Sequence, residues 1–367
     1  MTKSINYVFE KFPELEEKIP WIPLLNNPTP ITKLEKIEEK FGFSDLYMKR
    51  DDLTTEIYGG NKPRKLEYTF GKLIHENYER VITIGGIGSN HCLATAIFAK
   101  KKYNGIKDIN VSLILMKQPL TLDVQKKLKM FYSLDCELIY GGGLLGMAYN
   151  YYFRNFKGGY KLWAGGTDPI TNLGHVNAAF ELKEQIDAGE IPKPDIIFVT
   201  LGSVGTMAGL DVGLNLAGLS DIDLIGVQVA MKILWFGCSA YSQHKNALKT
   251  LKLLKAYTNN KIDHIKLKKR KILTDYMGKE YGYVTKDGKE AVDIVKELEN
   301  IKLDTTYTGK TFAGLLDYSE KENLKNKTIL FWNTYNSRPY DPFLKKDLDW
   351  KLLPKEFHQF FKKNLEN

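Results

Sequence analysis

Three cysteines are all that 367 residues contain, and Cys92, Cys136 and Cys238 lie far apart with no C-x-x-C pair. That scarcity signals neither a disulfide framework nor a zinc site, so no metal is expected and a reduced compartment fits. Long apolar runs are equally scarce. The least polar stretch, "IIFVTLGSVGTMAGLDVGLNLAGL" from Ile196, is broken by Asp211 and by glycines, which suits a buried strand and helix better than a bilayer span. The N-terminal "MTKSINYVFEKFPELEEKIPW" lacks the continuous apolar core of a secretory signal. The expectation is a cytoplasmic protein with no membrane partner. Charge bias is also modest: 53 Lys+Arg against 44 Asp+Glu give +9, spread along the chain. The one dense basic run, "HIKLKKRK" at 264–271, reads as a solvated loop or helix face. Aromatics at 12% come with no basic groove motif, so no nucleic-acid partner is expected.

What the chain does have is alternation. Apolar, often β-branched runs, most closed by glycine or a polar turn, recur as "VITIGG" from Val81, "VSLILM" from Val111, "CELIYGGG" from Cys136, "IIFVTLGS" from Ile196, "LIGVQVA" from Leu224 and "TILFWNT" from Thr328. Such runs read as buried parallel strands. Helix-length segments with apolar residues three and four apart lie between them, for example "NAAFELKEQIDAGEIPKPD" from Asn177. The fold class is therefore α/β, with open, twisted, mostly parallel sheets and helices on both faces. The Lys- and Leu-rich stretch 245–271 is expected as a helix followed by a surface loop. "YNYYF" from Tyr149 reads as core and dimer surface.

In such sheets ligands sit beyond the carboxyl ends of the strands. Three loops qualify: "GGIGSNHCLATA" at 85–96, "LGSVGTMAGL" at 201–210 and "TYTGKTFAGL" at 306–315. In the second, Gly202, Ser203, Val204, Gly205 and Thr206 can turn N–H groups and two hydroxyls toward one anion at a helix N-terminus. It is not the nucleotide P-loop, which needs a Lys after its second glycine, and "GGIGSNH" does not complete a dinucleotide fingerprint. A single-phosphate cradle, together with Lys62 in the glycine-rich "EIYGGNKPRKLEY", suggests pyridoxal phosphate held as a Schiff base. In that stretch Lys62 is read as the chemical cation, while Arg64 and Lys65 are read as surface charges at a helix start, facing Glu67 or solvent.

The ordered set "NPTPI", "YMKRDDLTTEIYGGNKPRKLEY", "GGIGSNH", "GGTDPITNLGHVNAAFEL", "LGSVGTMAGL", "EYGYVT" and "LDTTYTGKTFAGL" resembles the D-cysteine desulfhydrase and 1-aminocyclopropane-1-carboxylate (ACC) deaminase family. These are fold type II, tryptophan-synthase-β-like pyridoxal phosphate enzymes. The resemblance spans nearly the whole chain. It implies a large cofactor-binding domain, 1–64 plus 180–367, with a small domain, 65–179, inserted in it, and a homodimer. By matching position it implies Lys62 as the Schiff-base lysine and Asn90 as the partner of the cofactor's 3′-oxygen. Ser89 falls beside the substrate carboxylate and reacting carbon, and the 202–206 backbone at the phosphate. Tyr281 and Tyr307 match the tyrosines flanking the substrate, and Thr308 the residue facing the pyridine nitrogen. Thr334 falls at a second position that separates desulfhydrases, with Thr, from deaminases, with Leu. His91 adjoins the substrate and is expected chiefly to pack, as are His175 and Cys92.

Within the family the deaminases carry Glu where this chain has Thr308. A neutral hydroxyl cannot hold the ring nitrogen protonated as a carboxylate would, so a weaker electron sink is expected. That favours departure of a good β-leaving group such as sulfide. Two departures bear on the substrate: Asn333-Thr334-Tyr335-Asn336 replaces the usual His-Thr-Gly-Gly, and Gly88 replaces Gln. Two bulky residues for two glycines are expected to reshape the substrate pocket. The expected activity is β-elimination on a small amino acid, D-cysteine first, giving pyruvate, ammonia and sulfide. ACC deaminase or another pyridoxal phosphate lyase is the alternative, and a non-catalytic binding protein on the same fold a further one.

Overall fold

In the computed structural model, which describes residues 4–233, 236–259 and 261–362, the chain divides into two compact units. The first comprises the chain up to Tyr68 plus Asp168–Arg338; the second comprises Thr69–Thr167 and the residues from Pro339 onward.

The first unit is built on a six-stranded sheet in the order Ile31–Lys33, Asp45–Lys49, Thr328–Trp332, Ile196–Leu201, Asp223–Gln228, Lys271–Leu273. Every pairing is parallel except that of the edge strand Ile31–Lys33. Side chains alternate across a strand, and here both faces are apolar. Ile197, Val199, Leu201, Leu330 and Trp332 enter a core with the helices Leu173–Asp187, Gly205–Leu216 and Ala240–Tyr257. Ile196, Phe198, Ile329 and Phe331 enter a second core with Ile37, Val295, Phe312 and Leu315 from the opposite helices.

The second unit holds a parallel four-stranded sheet in the order Glu137–Gly142, Asn110–Met116, Arg80–Gly86, Gly159–Leu162. Ile82, Ile84, Ile114 and Ile139 pack there with Met147 and Tyr151. All six expected strands form. Of the aromatic run from Tyr149, Tyr151 is buried, whereas Tyr149, Tyr152 and Phe153 are exposed. No helix among the described residues is long and apolar enough to cross a membrane.

The C-terminal residues, assigned from sequence to the large domain, belong to the second unit. Phe343 packs edge-on to Tyr103, Phe357 and Phe360 pack on Tyr140, and Gln125 Nε2 donates to the Phe360 carbonyl at 2.7 Å. The expected helix and loop at 245–271 form as Ala240–Tyr257 and the residues after it. Within the basic run Arg270 is an exception, because its guanidinium is buried and pairs with Asp211 at 2.7 Å.

Candidate active site

Lys62 opens the helix Lys62–His75 after a turn that only glycine permits. A Cβ on Gly59 would lie 1.8 Å from the Asp52 carbonyl oxygen, and Gly60 has φ +93°. Backbone bonds pin the turn: Gly60 N–H donates to Asp51 O at 2.7 Å and Asn61 N–H to Thr334 O at 3.3 Å. The Lys62 amine donates to Asn61 Oδ1 at 2.9 Å, and Asn61 Nδ2 donates to Thr206 Oγ1 at 2.8 Å, joining the lysine turn to the cradle. Burial lowers the Lys62 pKa to about 8, with the Asp304 charge working the other way.

Arg64 and Lys65 are not surface charges. Both are fully or nearly fully buried. Arg64 bonds Asp51 at 2.6 Å and Glu181 at 2.8 Å, and Lys49 pairs with Glu181 at 2.6 Å. Trp332 Nε1 donates to Asp51 at 2.7 Å, so a compensated charge network underlies the turn. Burial disfavours the Arg64 charge, but Asp51 and Glu181 more than offset it and hold the guanidinium protonated. Lys65 is held well below the ordinary lysine range, first by burial and then by Lys62. Glu67 accepts from Ser4 at 2.7 Å and from Leu24 N–H at 2.9 Å, and burial raises its pKa to about 7.

The cradle follows the strand Ile196–Leu201. Val204, at φ +62°, is the N-cap of the helix Gly205–Leu216, with no side-chain cap. First-turn N–H groups have no intrahelical acceptor, and the positive end of the helix favours an anion. With Gly202, the hydroxyls of Ser203 and Thr206, and the Lys62 amine bridged to it through Asn61, this donor set fits a cofactor carrying one phosphate and one aldehyde.

Tyr307 reaches the same region, its ring carbon 3.7 Å from where a Gly202 Cβ would lie. Its hydroxyl bonds the Tyr281 hydroxyl, and the rings meet edge to face at 6.1 Å. Thr308 is fully buried at the start of the helix Thr308–Lys321. Thr334 Oγ1 lies 3.5 Å from Thr200 Oγ1, which bonds Thr311 at 2.7 Å.

Two residues went unnoticed in the sequence. Asp304 receives the N–H groups of Thr306, Tyr307 and Thr308 and the Thr308 hydroxyl. An Asp just before a helix start was the available signal. Lys310 donates to Met277 O at 2.6 Å, tying the segment that precedes Tyr281 to the helix; burial lowers its pKa to about 8, against the Asp304 charge.

Ser89, Asn90 and His91 belong to the second unit. Ser89 is buried and caps the helix Asn90–Phe98 by accepting from Cys92 N–H at 3.2 Å. Asn90 Oδ1 accepts from Lys127 Nζ at 2.6 Å, and Lys127 also pairs with Asp123 at 2.6 Å. An ammonium only donates, so this contact fixes the amide oxygen toward Lys127. His91 is buried, with Nε2 2.9 Å from Thr83 Oγ1. At Gly88 a Cβ would lie 2.7 Å from Val124, and Gln118 accepts the Gly88 N–H at 3.0 Å. The space beside residue 88 is therefore taken by Val124 and Gln118. Cys92 and His175 are buried, as expected.

Residues 22–334 match the family described as pyridoxal-phosphate dependent enzyme. A Pyrococcus horikoshii protein provisionally named 1-aminocyclopropane-1-carboxylate deaminase is 34% identical, over 91% of this chain and 95% of its own length. A D-cysteine desulfhydrase of Yersinia pestis (strain Pestoides F) is 31% identical, over 87% of this chain and 96% of its own. The crystal structure of an ACC deaminase homologue superposes with a TM-score of 0.74 at 29% identity, covering 90% of this chain and 97% of that one. An amine on a glycine turn bridged to a single-phosphate cradle is the arrangement that family needs, and the chain belongs to the pyridoxal-phosphate dependent enzymes, as a fold type II lyase or deaminase of the D-cysteine desulfhydrase and ACC deaminase group.

Proposed function

We propose that the enzyme eliminates the β-substituent of a small amino acid, with D-cysteine as substrate and pyruvate, ammonia and sulfide as products. What carries this reading is the pair of hydroxyl residues Thr308 and Thr334, which the resemblance sets at the two positions where desulfhydrases and deaminases of that family diverge. Lys62 would hold the cofactor through its amine, the 202–206 backbone and the Ser203 and Thr206 hydroxyls would hold the phosphate, and Asn90 Nδ2 would donate to the 3′-oxygen. When bound, the cofactor supplies a sink for the electrons released at the substrate's α-carbon.

The chain's own groups handle the protons. With its pKa lowered to about 8, the Lys62 amine can take up and return a proton at Nζ near neutral pH. The Ser89 oxygen accepts the Cys92 N–H, which holds the hydroxyl at the start of its helix, where the resemblance sets it beside the substrate. The hydroxyls of Tyr281 and Tyr307 bond each other, and either can be the donor. A homodimer in the cytoplasm completes the reading; the exposed Tyr149, Tyr152 and Phe153 on the helix Leu144–Phe153 supply an apolar face.

The test is a panel of D- and L-cysteine, chloroalanine, serine, diaminopropionate and ACC, read as keto acid. D-cysteine is expected to be consumed at least tenfold faster than ACC, with sulfide released in step with pyruvate. Turnover of ACC alone would overturn the assignment in favour of a deaminase. Cofactor binding with no turnover of any member would leave a binding protein.

A further inference from the structure

We propose that Asp304, acting through Thr308, keeps the cofactor's ring nitrogen protonated in the resting holoenzyme. The inference rests on the reading that Thr308 faces that nitrogen, and it adds what the hydroxyl can do there.

A threonine hydroxyl has one hydrogen and two acceptor lone pairs. In Thr308 the hydrogen is committed: Oγ1 donates to Asp304 Oδ1 at 2.7 Å. One lone pair is also committed, since the Asp304 N–H donates to the same Oγ1 at 2.9 Å. What remains is a single acceptor site. An unprotonated pyridine nitrogen presents a lone pair and would meet a lone pair. A pyridinium N–H donates into it. The hydrogen-bond inventory of this buried residue therefore selects the protonated ring.

Turning the hydroxyl round to donate to the ring would sacrifice a bond to a carboxylate, and charge-assisted bonds are roughly twice as strong as neutral ones. The carboxylate is itself held as an acceptor. Its Oδ2 receives the N–H groups of Thr306 and Tyr307, each at 3.1 Å, and its Oδ1 receives the Thr308 N–H at 2.9 Å in addition to the hydroxyl. Every one of those four contacts is a donor. A negative charge thus stands one hydroxyl away from the ring position, where it favours a positive nitrogen. The titratable groups that feel the Asp304 charge are the amines of Lys62 and Lys310, both lowered to about 8 by burial. Neither lies between the carboxylate and Thr308, whose contact with Asp304 is direct.

This reverses the expectation that a neutral residue at position 308 makes a weak electron sink. Thr308 and Asp304 together do what a single longer carboxylic side chain would do at that position. Selectivity against ACC then has to come from the shape and hydroxyls around Thr334, Tyr281 and Tyr307, not from the electronics of the ring.

The measurement is the nitrogen-15 chemical shift of ring-labelled pyridoxal phosphate bound to the apoprotein, in the wild type, Asp304→Asn and Thr308→Val. Asp304→Asn keeps an acceptor oxygen for the capping N–H groups while removing the charge, and retention of cofactor on Lys62 shows that the variant has folded. A wild-type signal in the pyridinium range, moving to the neutral-pyridine range in both variants, is the expected result. If the wild-type signal already lies in the neutral range and Thr308→Val still perturbs it, Thr308 faces the ring but the protonation inference is wrong. If the wild type is protonated and Thr308→Val leaves the signal untouched, the placement of Thr308 fails and the inference with it.

Discussion

Burial governs Lys62. Its amine leaves water on entering the turn, which penalises the charged form and brings the pKa from 10.5 to about 8. The sign follows directly: between about 8 and 10.5 the folded amine is already neutral while an unfolded one would be charged, so the energetic cost is full below pH 8 and fades as pH rises through that window. Attack on the cofactor's aldehyde needs the neutral amine. The second-order rate of pyridoxal phosphate uptake by the apoprotein is therefore expected to rise about tenfold per pH unit below 8 and to level off above it, which stopped-flow absorbance can follow. A rise that continued to pH 10 would show an amine in ordinary solvent. Lys62 was legible because its signal is local, two glycines and an asparagine in front of a lysine. Arg64 and Lys65 were not. What buries Arg64 at no great penalty is Asp51, 13 residues away, and Glu181, 117 residues away, and no window of sequence contains that pairing.

The unusual 333–336 loop braces the lysine turn. Asn336 is buried, its Oδ1 accepts from Gly59 N–H at 2.6 Å and from Arg338 N–H at 3.1 Å, and its Nδ2 donates to Arg338 O at 3.0 Å. One of the two bulky replacements that sequence reading assigned to the substrate pocket is thus spent on the backbone in front of Lys62. Gly60 is also closed in by this loop, with the Thr334 carbonyl 2.9 Å from where its Cβ would lie. Asn336→Gly removes the side chain and leaves the Gly59 N–H without its acceptor, a loss of ~1–3 kcal/mol for a buried donor. Urea unfolding of the apoprotein should register that loss, and the holoenzyme should release cofactor faster on dialysis. Unchanged stability with unchanged release would mean that the glycines the family carries here do the same work. Elements whose signal is an apolar run were read correctly, as with the strand Ile196–Leu201, in which every residue is buried. Asp45–Lys49 gave no such signal, though it lies inside the sheet, because "DLYMK" begins and ends on a charge and its Lys49 is accommodated by distant groups, Glu181, Gln185 and the Thr29 carbonyl.

For the molecule as a whole, βα alternation announced parallel sheets but not which strands share one, since the six-stranded sheet gathers its strands from stretches of chain on either side of the four consecutive strands that make the other. The end of the chain was misassigned for a related reason: its aromatic residues look the same whichever core receives them. Contacts decide the matter. Phe343 meets Tyr103, Phe357 and Phe360 meet Tyr140, and Lys126 pairs with Asp341 at 3.1 Å. Phe343 and Phe357 are almost completely buried, and burying a phenylalanine contributes roughly 1.5–3 kcal/mol. Ending the chain at Arg338 should therefore weaken the second unit and spare the first, because stability is local to cooperative units. Hydrogen exchange is the measurement: amides of Asn110–Met116, Glu137–Gly142 and the helix Leu122–Ser133 are expected to lose protection, while those of Ile196–Leu201 and Thr328–Trp332 keep it. Loss of protection in the six-stranded sheet with the second unit unaffected would return the C-terminal residues to the large domain, where the sequence alone had placed them.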